Sequence, residues 1–327
     1  MTNFQVYKKV LSFSLVHFAV DLLAFIVFAG CCTAGFFIGN NGMDSHALIG
    51  LAIGAIVGII LMILINVFIG NRIKAAQIAM MAKGVTENSL PEHSFSEGFK
   101  EIKGRFGKIT AFYFITGAIK GIFRQITRVI NQLGKALGGK TGDAITSAID
   151  TGVQILLGYL CDCCLAWIFY REDQNSARAG CEGAVIFFKH GKTLIRNIGR
   201  IFGMGFLSLL LIGGAIFGIF ALIFHFLPKM FVSLGAEIVE IVVRNGGNAS
   251  DVPEFVTNPT FLSLIVAGII AVLLWSAVHS VFIRPFILVG VMRNFMAAGQ
   301  QDMPKEQDFA ELSSKSPKFA KLANKIE

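Results

Sequence analysis

Charge is scarce in this chain. Only 15% of its 327 residues are Asp, Glu, Lys or Arg, where a soluble domain carries about 25%, and that shortage excludes an ordinary water-soluble fold. The nucleophile elbow GxSxG and the zinc motif HExxH are missing, so the hydrolytic and metalloprotease chemistry those motifs frame is not expected here. The six cysteines fit no standard zinc spacing. They read as small apolar packing residues, and neither a metal nor a cofactor is expected.

What fills the space is apolar. With 54% hydrophobic residues, 35 glycines and a mean hydropathy of +0.66, the composition is that of an integral membrane protein. The net charge of +8 does not imply nucleic acid, because the basic residues cluster beside apolar runs as they do in cytosolic loops. The length accommodates about six spans of roughly 20 residues each, and apolar runs fall at 10–30, 47–69, 109–137, 151–170, 198–227 and 260–283. The first run reads as a retained helix rather than a cleaved leader, since it is long and His17 and Asp21 interrupt it. Phe28-Ala29-Gly30-Cys31 loosely resembles a lipobox with Cys31 as the lipidated residue, although Phe28 is atypical there.

With the N-terminus inside, the inner segments hold 22 Lys and Arg against 7 in the outer loops, which predicts both termini in the cytosol. The expected fold is therefore an all-α membrane protein of three hairpins, over 1–108, 109–197 and 198–327, each followed by a basic amphipathic connector or tail. The polar stretch 229–258, limited by Pro253 and Pro259, reads as a loop.

The connector SFSEGFKEIKGRFGKI is the clearest of these. Ser94 and Glu97 form a capping-box pattern that predicts a helix start. Phe95, Phe99, Ile102, Phe106 and Ile109 then share one face while Lys100, Lys103, Arg105 and Lys108 take the rest, which predicts a helix lying in the membrane surface. Asp308-Phe309-Ala310-Glu311 repeats the opening of this segment near the C-terminus, and Ser316-Pro317 marks a further helix start.

Glu97, Gly98, Phe99, Lys103, Gly104, Arg105, Phe106 and Gly107 form a short Glu-Gly-Phe and Lys-Gly-Arg-Phe-Gly run, with a weaker echo from Glu182 to Lys192. In these residues the chain resembles bacterial multi-pass proteins similar to the membrane domain of glycerophosphodiester phosphodiesterases. The match covers about thirty residues and no phosphodiesterase domain accompanies it, so the resemblance implies a helical membrane protein and carries no activity over.

Three sets of residues stand out. Gly50, Gly54 and Gly58 repeat at intervals of four and predict a flat ridge for close helix packing, on which leucine at 54 is disruptive and alanine mild. Lys120, Arg124, Arg128 and Lys135 form a basic stripe on one helical face. His17 and Asp21, one turn apart, and Asp162, expected near the midplane of the fourth span, are ionisable groups inside apolar runs and form the candidate polar site.

The leading functional expectation is a non-enzymatic membrane scaffold or assembly factor that holds lipids, anionic headgroups included, or partner subunits, in a hetero- or homo-oligomer. The alternative is a transporter or channel with its site at Asp21, His17 and Asp162.

Overall fold

The computed structural model describes residues 1–40, 47–103, 139–244 and 246–324, and these are helical with no strand among them. In chain order the helices are α1 (Asn3–Asn40), α2 (Ala47–Ile65), α3 (Asn71–Thr86), α4 (Ser94–Lys103), α5 (Gly139–Tyr170), α6 (Ser176–Ser208) and α7 (Gly214–His225). The order continues with α8 (Pro228–Arg244), α9 (Glu254–Thr257), α10 (Pro259–Val278), α11 (Arg284–Gln301), α12 (Glu306–Lys315) and α13 (Pro317–Ala323). Short π-helical turns, Asn66–Gly70, Leu209–Gly213 and His279–Ile283, join α2 to α3, α6 to α7 and α10 to α11.

Among the described residues, four stretches are long and apolar enough to cross a membrane: Asn3–Gly39, Ile49–Thr86, Gly199–His225 and Pro259–Gln301. Six were expected. The run 109–137, with the basic stripe Lys120, Arg124, Arg128 and Lys135, lies outside the described residues. In the run expected at 151–170, the described apolar stretch is Ile155–Tyr170, and its side chains from Leu156 to Phe169 are nearly all covered by protein. Its hydrophobicity serves a core, which the composition alone cannot distinguish from a span.

The chain divides into two compact units, Met1–Ile201 with Arg284–Glu327, and Phe202–Ile283. In the first, α1 changes character along its length. Val6, Val10, Phe13 and Ser14 are buried, whereas Leu15 is 56% and Ile38 76% exposed. The α2–α3 run changes in the same way, from an exposed Ile69 to a buried Gly70 and Ile73. An exposed apolar hairpin of this length is compatible with a membrane location. The hairpin is closed by small residues: a Cβ at Gly50 would fall on the Gly35 carbonyl, one at Gly54 on the Cys31 carbonyl, and one at Gly58 on the Phe28 ring. Alanine at position 54 is therefore not mild, because it meets backbone that cannot rotate away.

Below the hairpin, the buried ends of α1 and the α2–α3 run join α4, α5 and α11 in a packed body whose largest buried side chains include Phe13, Met80, Met81, Leu160, Trp167 and Phe295. Each such burial stabilises by about 1.5–3 kcal/mol relative to exposure. Asn88 ends α3 in the left-handed region (φ 54°), a conformation asparagine tolerates better than most residues. The amphipathic face of α4 packs on this body. Phe95 and Phe99 meet Phe13 at ring-centroid distances of 4.9 and 6.2 Å, and Ile102 is buried, so protein lies against the described part of the face that was expected to meet lipid; Phe106 and Ile109 lie outside the described residues. The capping box is also absent. Ser94 Oγ donates to the Pro91 carbonyl at 2.7 Å and Glu97 N–H bonds back to His93, because the helix turn begins before Ser94. At the C-terminus Ser316 does cap α13, accepting from Phe319 N–H at 3.3 Å, and Phe319 is fully buried against Phe309.

The second unit is a hairpin of α7 and α10 with α8 and α9 at its closed end. Trp275 Nε1 donates to Ser208 Oγ at 3.2 Å, pairing two polar groups between otherwise apolar helices. Asn258 starts α10 by accepting from the N–H groups of Thr260 and Phe261, with Pro259 in the first turn. The stretch expected as a loop is largely helical: α8 occupies 228–244, since its apolar residues recur at helical spacing and its two flanking prolines lie beyond its end.

Candidate functional site

The polar centre of the first unit forms where the packed body meets the exposed hairpin. Asp162 comes from α5, Lys74 from the first turn of α3 and Arg284 from the start of α11. Lys74 Nζ lies 2.7 Å from Asp162 Oδ1, and Arg284 Nη2 donates to Asp162 Oδ2 at 2.7 Å, so both carboxylate oxygens are engaged. The Asp162 side chain is 7% exposed, whereas those of Lys74 and Arg284 keep 28% and 32%. The two cations thus share one buried anion and turn their outer faces to the surroundings. Each follows a π-helical turn, and the extra residue of such a turn rotates what comes after it onto a new face. Gly158, one turn before Asp162, leaves room for the guanidinium, which also lies 5.5 Å from the centre of the Tyr159 ring.

The three polar residues singled out in the sequence fall around this centre unequally. His17 faces Gly70, whose Cβ would lie 3.3 Å from His17 Nε2, and interacts electrostatically with Asp21, Lys74 and Arg284. Asp21 is half-buried one turn further along α1, and its electrostatic partner is His17. Asp162 lies among the buried segments of α3, α5 and α11, beside the level where the exposed apolar surface of the hairpin begins. A carboxylate there can hold two cations that keep partial exposure of their own. Lys74 and Arg284 escaped the sequence reading because they lie 88 and 122 residues from Asp162 and resemble ordinary markers of a span end.

A second polar set sits deeper in the body. Trp167 Nε1 donates to Glu182 Oε2 at 2.9 Å, and Arg171 bridges the same carboxylate at 3.2 Å and Asp173 at 3.1 Å. The Arg171 guanidinium holds the Asp173 carboxyl below its ordinary value. Along α6, Lys189 Nζ bonds to Asp302 at 2.8 Å and Asp308 at 3.2 Å, and Arg178 pairs with Glu306 and lies over the Phe309 ring. These contacts fasten the C-terminal helices to α6. Cys163, Cys164 and Cys181 are buried free thiols, and burial pushes Cys181 up to about 12, which keeps it protonated and unreactive. No group of three or more potential ligands that could hold a metal occurs among the described residues.

Taken together, these features define an all-helical protein with several apolar helices of membrane-spanning length, compatible with a membrane location. Compared with known proteins, the chain matches no family model, no curated sequence and no solved structure.

Proposed function

We propose that this protein is a non-catalytic scaffold of a bacterial inner membrane that holds anionic lipid headgroups at the Lys74–Arg284 pair. The observation that carries the reading is the arrangement around Asp162: two cations on one buried carboxylate, with their outer faces turned out at the level where the hairpin surface becomes apolar. A phosphate diester there would meet charge-assisted donors from both side chains while its acyl chains lie along α1 and α2. Two features of the sequence support the same reading. The stretch 104–138 carries six Lys and Arg and no Asp or Glu, so it adds further positive charge and supplies no counter-anion. The sequence segments 40–46 and 226–258 hold only two of the 29 Lys and Arg, which favours both termini on the cytosolic side.

The test is lipid retention by native mass spectrometry after extraction from mixed phosphatidylglycerol and phosphatidylcholine membranes. The parent protein is expected to keep phosphatidylglycerol preferentially, and Lys74→Gln and Arg284→Gln to lose that preference while still keeping phosphatidylcholine. Equal retention of both lipids by parent and variants would remove the reading.

A transport function is the second reading, favoured by the three π-helical turns within or beside the apolar helices and by the His17–Asp21 pair on α1. It would use Asp21, His17 and Asp162 as its polar site.

A further inference from the structure

The geometry of the second unit points to a surface that the lipid-headgroup reading does not include: we infer that α8 is an interfacial helix, seated in the acyl–headgroup boundary of a bilayer and indifferent to lipid charge. The helix is fixed to the closed end of the α7–α10 hairpin. Only Phe226 and Leu227 separate it from α7, so it cannot leave the level at which that span ends. Its own contacts are at that end too: Phe231 packs on Phe224 with ring centroids 5.0 Å apart, and Gly235 sits so close to the Val256 carbonyl that a Cβ would lie 2.9 Å from it.

Around the helix axis, at 100° per residue, the buried centre of Phe231 and Gly235 occupies only the middle of a much wider apolar arc. Met230 on one flank is 49% exposed, and Val232 and Val243 on the other are 57% and 49% exposed. Lys229, Ser233, Glu237, Glu240 and Arg244 are confined to the remaining arc, with Glu240 and Arg244 paired across one turn. An apolar arc far wider than its protein contact, flanked by spans of lipid length, calls for hydrocarbon on both sides of that contact. The polar arc then faces the headgroups and water. Two cations and two anions in α8 cancel, so apolar area alone holds it there and anionic lipid adds nothing.

The experiment uses full-length protein, one copy per nanodisc, with single cysteines introduced at Val232, Val243, Ser233 or Glu240 and labelled with a water-soluble maleimide against the parent background. In phosphatidylcholine discs, Val232→Cys and Val243→Cys are expected to label at least about tenfold more slowly than Ser233→Cys and Glu240→Cys. The ratio should be unchanged when phosphatidylglycerol is added or salt is raised. Equal rates at all four positions would place α8 in water and overturn the inference. Protection seen only when discs hold two or more copies would assign the face to a second protein chain, and protection that requires phosphatidylglycerol would overturn the charge-indifferent form. None of these outcomes depends on Lys74 or Arg284, so the headgroup reading stands or falls separately.

Discussion

At the scale of single residues, the smallest side chains carry the sharpest constraints. Gly54 lies against the Cys31 carbonyl, and a methyl group there would displace α1 from α2. Gly54→Ala is expected to destabilise by about 1–3 kcal/mol, the usual cost of overpacking, and to lower the midpoint of thermal unfolding in detergent. Gly218→Ala, where a Cβ would meet nothing within 4 Å, should not. Equal midpoints would mean that the hairpin does not close at Gly54. The glycine spacing was legible in the sequence, but the tolerance of alanine was not, since it depends on which atom of the neighbouring helix stands opposite. Asp162 was legible for a related reason. An acid inside an apolar run is conspicuous anywhere, whereas its partners Lys74 and Arg284 look like the basic residues that end any span.

At the scale of elements, periodicity reported faces correctly and their partners poorly. Phe95, Phe99 and Ile102 do share one side of α4, but that side covers Phe13 and α3 rather than lipid. Nothing in the spacing distinguishes an apolar face turned to a core from one turned to a membrane. The opposite error occurred at α8, where Phe231, Gly235, Ile238 and Val242 recur at helical intervals inside a stretch whose prolines and polar residues suggested a loop.

The fastening of the C-terminal helices to α6 has a definite pH response. Hydrogen bonding to Lys189 lowers Asp302 from its ordinary 3.8, so the contribution of Asp302 is present above that value and is lost as pH falls through the lowered one. The bonds to Asp302 and Asp308 raise Lys189 from 10.5, so its contribution is present below that value and is lost as pH rises through the raised one. Proteolysis at residues 302–324 should therefore be slow from about pH 5 to 10 and faster in more acidic buffer. Lys189→Gln should be cleaved readily at neutral pH as well; a variant as resistant as the parent would show that the ion pairs do not hold these helices. The groups are partly exposed, so salt should weaken the effect.

At the scale of the whole molecule, the account makes Asp162 an internal counter-ion. Each of its two oxygens bonds a cation, which suits a fixed anchor. Replacing it by asparagine strands Lys74 and Arg284. The cost should sit toward the low end of the about 3–5 kcal/mol for breaking a buried ion pair, because both cations keep partial exposure. The most direct measurement sets Asp162→Asn beside the parent protein in two assays, thermal unfolding in detergent and proton flux into liposomes. The account predicts a lower unfolding midpoint for the variant and, in the parent, no flux above that of empty liposomes. An unchanged midpoint together with parent flux that Asp162→Asn abolishes would contradict it and make Asp162 part of a conducting path.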